Sequence, residues 1–365
     1  MPPKTMAWCV APSISSACRN GPVLKNPFGW ALIGPGRIAH RFAEAVQGTD
    51  GATLVSVSGR DLGRSNAFAQ KWSRPGKPVE AAAEIASLLQ DARVDGIYIS
   101  TPHAFHADAV RQCLLAGKPV LCEKPLVPNH ALGLELVELS RRRRVFLMEA
   151  VWTRFLPVYA EVRNWLAEGA IGKVRAMQSC FCFHSPFDAQ SRNYDPDQAG
   201  GSLLDLGIYN LTMTRWSLAA AIGSCPELLS LQATGVAAPT GVDHRISATL
   251  EFAGGVVSQF TCGFNMSSDN GFRIFGERGA IVMPSRFWEA AFAELQIAGQ
   301  DTVAVHRPFR VNGFEYEIEH AMQLIRNGET ESPMIPHPET LATLDWMDRI
   351  RAAVGVRYPF ETPLD

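Results

Sequence analysis

A chain of 365 residues, 47% hydrophobic and 19% charged, has material for more than one core and the composition of an ordinary globular protein. A formal net charge of -2 gives no electrostatic footprint for nucleic acid or a membrane surface. Eight cysteines with no CxxC pair form neither a disulfide framework nor a zinc ligand set, so no metal is expected and the expected compartment is a reducing cytoplasm.

Residues 1–27 carry Lys4, Arg19 and Lys25 but no acid, among scattered Pro, Ser and Gly. They lack the compact apolar stretch and small-residue cleavage site of a secretory signal. They read as a flexible extension, or as the result of a start placed upstream of Met6. From Gly29 onward, short apolar runs alternate with amphipathic segments. Ala31-Leu32-Ile33 precedes a helix with Ile38, Phe42 and Val46 on one face, and Thr53–Val57 follows as a β-branched strand. Ile85, Leu88 and Leu89 mark a helix, 96–100 a buried strand, and Ala109, Val110, Cys113 and Leu114 a helix that stops at Gly117. Strands at 119–122 and 145–148 complete the series; between them Arg141–Arg144 reads as the solvated last turn of a helix.

Strands apolar on both faces, separated by helices, predict a doubly wound parallel sheet over residues 28–150. After Glu149 the pattern changes. Residues 173–183 and 244–262 alternate, with Ile246, Ala248, Leu250 and Phe252 against Ser247, Thr249 and Glu251, as in a sheet with one exposed face. Residues 151–365 therefore read as an α+β domain with a large, mostly antiparallel sheet. Its last helix carries Leu341, Leu344, Met347, Ile350 and Val354, between Pro338 and Gly355.

Gly34-Pro35-Gly36-Arg37-Ile38-Ala39 is a G-x-G-x-x-A pattern between the first strand and the first helix. There the first glycine permits the turn, the second admits a pyrophosphate to the backbone, and the helix N-terminus supplies free N–H donors. The second strand ends in Ser58-Gly59-Arg60, followed by Asp61 and Arg64. An arginine and a hydroxyl suit a 2′-phosphate and favour NADP, whereas Asp61 in the reading position would favour NAD.

Glu123-Lys124-Pro125 follows a buried strand at the end of the sheet where ligands sit; alone, Lys124 is equally a surface lysine in a turn. In Gly200–Tyr209, a helix would place Asp205 and Tyr209 four apart on one face, either as a structural pair or as a proton-transfer tyrosine beside a carboxylate. As a base, Tyr209 needs its pKa lowered, and Lys124 and a positive nicotinamide ring are the expected causes.

Together GPGRIA, the EKP at 123–125, GGSLLDLGIY at 200–209, MEAVWTRFLP at 148–157, and the tail segments 313–319 and 357–361 resemble the Gfo/Idh/MocA family of oxidoreductases. The resemblance runs in order from about residue 28 to 364 and is greatest to the sugar and dihydrodiol dehydrogenases. It implies Lys124, Asp205 and Tyr209 as the catalytic set. It places Gly34, Gly36, Arg37, Ile38, Ser58, Gly59, Arg60, Thr101, Pro102, His103, His106, Glu123 and Lys124 around the cofactor. Trp152, Arg154 and Phe155 would lie beside nicotinamide and substrate, and Phe183 would face either substrate or core. The family often has Asn where this chain has His103, and its inositol dehydrogenases have His where it has Tyr209. The implied activity is NADP-dependent hydride transfer with a CH–OH group of an aldose or cyclic trans-diol, in a dimer paired through the second sheet. A nucleotide-sensing regulator, or a reductase of an anhydro-sugar or dicarbonyl, are the alternatives.

Overall fold

The structure, a computed structural model, describes residues 27–361. The expected N-terminal extension thus lies, apart from Pro27, outside the described residues.

The first half is built from β1 (Phe28–Ile33), α1 (Arg37–Gly48), β2 (Ala52–Ser58), α2 (Leu62–Trp72), β3 (Glu80–Ala82), α3 (Ile85–Gln90), β4 (Gly96–Ile99), α4 (His106–Leu115), β5 (Val120–Glu123), α5 (His130–Arg143) and β6 (Leu147–Ala150). The six strands are all parallel, in the order β3-β2-β1-β4-β5-β6. Strands β1, β4, β5 and β6 are buried along their whole length, because helices cover both faces. The strand order reverses between β1 and β4, which opens a crevice at their carboxyl ends. Phe42 of α1 stacks on Tyr98 of β4 (centroids 3.7 Å apart), with Trp30 edge-on to it, so α1 is held with its N-terminus at that crevice. Arg141, Arg142 and Arg143 occupy the last turn of α5, as read from the sequence.

After a short turn Trp152–Phe155 come α6 (Pro157–Ala167), β7 (Val174–Cys182), α7 (Ile208–Ile222), β8 (Leu228–Ala237), β9 (Asp243–Phe252), β10 (Val256–Gly263), β11 (Phe272–Gly276), β12 (Gly279–Met283), β13 (Phe292–Ile297), β14 (Val303–His306), α8 (Glu315–Arg326) and α9 (His337–Val354). The second sheet runs β14-β13-β12-β11-β7-β10-β9-β8. All its pairs are antiparallel except β7 with β10. Ile246, Ala248, Leu250 and Phe252 point into the core, while Gln178, Gln232, Ser247, Thr249 and Gln259 line an open, polar face.

The last helix belongs to both halves. Leu344 joins the apolar layer beneath α5 and Trp346 packs on Phe252 of β9; in the segment before the helix, the Thr330 carbonyl accepts the Leu147 N–H of β6. No helix among the described residues is long and apolar enough to cross a membrane.

Candidate active site

Gly34 follows β1 with φ +94°, and a Cβ there would sit 2.8 Å from the Thr101 nitrogen. Glycine is therefore required both by the backbone angle and by the close approach of the β4 loop. Gly36 is different. A Cβ on it would meet no atom closer than 3.9 Å, so the space above it is open, and the first turn of α1 has no side-chain cap. The N–H groups of Arg37 and Ile38 are thus free donors at a positive helix end. Thr101 adds a buried hydroxyl with no hydrogen-bond partner. Open space, free donors and an unsatisfied hydroxyl fit a dinucleotide pyrophosphate.

At the end of β2, Ser58 is buried, and Gly59 passes so close to Pro35 that a Cβ would lie 2.6 Å from its ring. Arg60 is exposed, with its guanidinium over the Phe105 ring at 4.9 Å. Asp61 caps α2, its carboxylate accepting the Arg64 N–H at 3.1 Å. The acid that would favour NAD is thus engaged in capping α2, while Arg60 stays exposed beside it.

The expected catalytic residues gather near the carboxyl ends of β5 and β6. The Lys124 Nζ donates to the Asp205 backbone carbonyl at 2.6 Å and to its Oδ1 at 3.0 Å. The same ammonium lies 5.0 Å from the centre of the Tyr209 ring. Asp205 sits in a π-helical turn, Leu203–Gly207, that leads into α7 and Tyr209; such turns recur at functional sites. Arg192 approaches both Asp205 oxygens at 3.4 Å from the loop before this turn. Burial alone would raise the Asp205 carboxyl, but the charges of Arg192 and Lys124 overcome it and hold the group well below the usual carboxylate range.

Trp152 donates its indole N–H to the Tyr209 hydroxyl at 3.0 Å. Burial, then the charges of Glu123 and Asp205, push that hydroxyl well above its ordinary value, against the pull of the Trp152 N–H. This corrects the expectation that Lys124 lowers Tyr209, since its hydrogen bonds go to Asp205. Glu123 accepts the Tyr98 hydroxyl at 2.5 Å, and burial raises its carboxyl. His103 is buried, with Nδ1 3.1 Å from the Ala199 carbonyl, and burial pushes its pKa down to about 3. Pro102 leads directly into the His103 turn.

Several expected site residues face elsewhere. His106 is fully buried, its ring nitrogens 2.8 Å from the Thr101 carbonyl and 3.0 Å from that of Pro125, so it ties two loops of the crevice together from behind. Arg154 was expected beside nicotinamide and substrate. Both its terminal nitrogens instead bind Glu339 of α9 at 2.9 Å, and one also takes the Met334 carbonyl, because a buried guanidinium requires a carboxylate partner. Phe155 packs on His320. Phe183 lies past the end of β7 against Phe264, whereas Phe181, two residues earlier, packs 5.7 Å from the Tyr209 ring and stacks on Trp288.

Sequence reasoning missed Arg192, Phe181 and Tyr98. Arg192 lies in an irregular loop with no periodicity to betray it. Tyr98 did carry a signal, for a phenol on a fully buried strand needs a polar partner.

A glycine cradle at the switch point of a parallel sheet marks the nucleotide-binding half of an NAD(P)-dependent oxidoreductase. Comparison with known proteins gives the same class: residues 28–151 match the oxidoreductase family with NAD-binding Rossmann fold, and residues 159–282 match the GFO/IDH/MocA C-terminal domain. The chain belongs to the Gfo/Idh/MocA family. It is 34% identical over 347 residues to human (Homo sapiens) trans-1,2-dihydrobenzene-1,2-diol dehydrogenase, covering 90% of this chain and 98% of that one. Among solved structures, KijD10, a 3-ketoreductase from Actinomadura kijaniata in complex with NADP and TDP-benzene, superimposes with a TM-score of 0.78 at 24% identity. An aldose-aldose oxidoreductase from Caulobacter crescentus does so with 0.79 at 20%. Each of these two covers 90% of this chain and 98% of its own, and at such identity each speaks to the fold.

Proposed function

We propose that this protein is an NADP-dependent dehydrogenase of a small polyhydroxylated ring, an aldose or a cyclic trans-diol. The carrying observation is the convergence of Lys124 with Asp205, 81 residues further along the chain, and with Tyr209 one helical turn beyond it, on one buried cluster at the crevice. The 34% identity to a dihydrodiol dehydrogenase supports the diol arm of the substrate class.

In this reading Gly34, Gly36, Arg37, Ile38 and Thr101 hold the pyrophosphate, and Ser58, Gly59 and Arg60 hold the 2′-phosphate. The bound cofactor supplies the hydride-accepting carbon and, when oxidised, a positive charge. Tyr209 exchanges the proton of the reacting hydroxyl at its Oη, which the Trp152 N–H orients. Lys124 and Arg192 keep Asp205 ionised, an acceptor for a neighbouring hydroxyl. Phe181 and Trp152 form apolar walls suited to the C–H face of a ring.

The raised Tyr209 hydroxyl favours a second reading of direction. A tyrosine held protonated is a proton donor, as reduction of a carbonyl requires, and oxidation needs the added positive charge of the oxidised cofactor to free it. The open polar face of the second sheet is the proposed contact for a second copy. An NADP(H) absorbance screen of aldoses, cyclitols, aromatic dihydrodiols and their carbonyl counterparts, in both directions, tests the function. Turnover in at least one class is expected; tight NADPH binding with no turnover anywhere would instead indicate a nucleotide sensor.

A further inference from the structure

The π-helical turn that carries Asp205 begins without a cap of its own. Ser202 stands at the capping position, yet its hydroxyl does not cap the turn and points across to β9. There Asp243, 1% exposed, accepts the Ser202 hydroxyl at 2.8 Å and the Leu203 N–H at 2.6 Å, both on Oδ2. A carboxylate from a distant strand thus does the work that a local cap usually does, and its charge suits the positive end of the helix.

The surroundings are shaped to this contact. Gly201 has φ +118°, and a Cβ on it would collide with Asp243 Oδ1. Just before it, the Gly200 carbonyl accepts the Tyr358 hydroxyl at 2.7 Å. Gly201 lets the chain come close enough for the carboxylate to fasten it, while Gly200 makes room for the Arg192–Asn193 backbone, within 2.9 Å of where a Cβ would stand. Asp205 follows the fastened nitrogen by two residues and Tyr209 by six, and both must meet Lys124 on the opposite sheet.

We propose that Asp243 is a positioning residue: it fixes the start of the turn so that Asp205 and Tyr209 arrive opposite Lys124. The inference rests on the catalytic reading of those three residues. The Asp243 side chain bonds Ser202 and Leu203 rather than Lys124, Asp205 or Tyr209, and acts through the backbone it holds.

The test uses the full-length chain and a substrate that responds in the screen. Asp243→Ala should lower kcat on the order of 100-fold, as small displacements of reacting groups do. NADPH affinity and stoichiometry should stay at wild-type values, because the glycine cradle is on the other sheet. Asp243→Asn keeps an oxygen in place of Oδ2 and should restore most of the rate. Ser202→Ala, which removes one of the two bonds and is the milder change, should fall between. A wild-type kcat per NADPH-binding site in Asp243→Ala overturns the proposal. So does an Asp243→Asn enzyme no faster than Asp243→Ala. Full turnover in Tyr209→Phe, run alongside, would overturn the catalytic reading itself, so the two failures are distinguishable.

Discussion

Gly34 and Gly36 are two residues apart in one loop, yet the structure predicts opposite consequences for the same substitution. At Gly36 the backbone is extended (φ -88°, ψ -174°), and a new Cβ meets nothing within 3.9 Å. Serine is a preferred N-cap, so Gly36→Ser should change the unfolding free energy by only a few tenths of a kcal/mol, about the Ser-to-Gly difference at such positions. Its hydroxyl would, however, occupy the open space and accept the N–H groups that a pyrophosphate needs. Losing one or two charge-assisted hydrogen bonds at about 1.5–3 kcal/mol each weakens NADPH binding roughly 10-fold to more than 100-fold. Gly34→Ser forces a side chain into a φ of +94° with its Cβ 2.8 Å from the Thr101 nitrogen. The backbone term alone costs about 1–2 kcal/mol, so that variant should unfold at lower temperature. Calorimetric titration with NADPH and thermal unfolding of both variants measure the contrast. If Gly36→Ser binds NADPH like the wild type, or melts as early as Gly34→Ser, the phosphate seat has been placed wrongly.

Three further outcomes follow from the site. Arg60→Ala should cut the preference for NADPH over NADH at least 10-fold, on the scale of one charged hydrogen bond, while Asp61 goes on capping α2; an unchanged ratio of dissociation constants would remove Arg60 from the site. Trp152→Phe deletes the N–H that pulls the Tyr209 pKa down, so the rising limb of oxidation, which follows loss of the Tyr209 proton, should move to higher pH; a kcat/KM profile that does not move would refute the contact's role. His103, near 6.5 when unfolded and about 3 when folded, takes up its proton only on unfolding between those values. Stability should therefore fall as pH drops through that window, by up to about 1.4 kcal/mol per pH unit, and His103→Asn should flatten the slope in urea titrations; an unaltered slope would mean the imidazole is not held neutral.

The nucleotide half was legible because its signals are local. Apolar strands bounded by glycine, a helix with Phe42 and Val46 on one face, and G-x-G-x-x-A in one loop each speak within a few residues. The alternation of β9 likewise predicted which residues of the second sheet face the core, since period two is a property of the strand alone. What stayed hidden depends on partners far away in the chain. Arg154 looked like a ligand residue until Glu339, 185 residues on, claimed its guanidinium. Phe181 and Phe183 share a face of β7, so alternation could not say which lies deep beside Tyr209 and which lies past the strand's end. Whether Lys124 served the hydroxyl of Tyr209 or the carboxylate of Asp205 was a matter of ångströms, which no spacing encodes. The anchor at Asp243 was invisible for the same reason: its role exists only where β9 passes the glycines before the turn.

In the proposed function Lys124 and Tyr209 serve the hydride step rather than cofactor affinity. Single-turnover absorbance of the wild type, Lys124→Met and Tyr209→Phe, each saturated with cofactor and mixed with a responding substrate, tests it most directly. Hydride transfer should slow by roughly 100-fold or more in both variants, with NADPH dissociation constants unchanged. Wild-type transfer rates in both variants would contradict it.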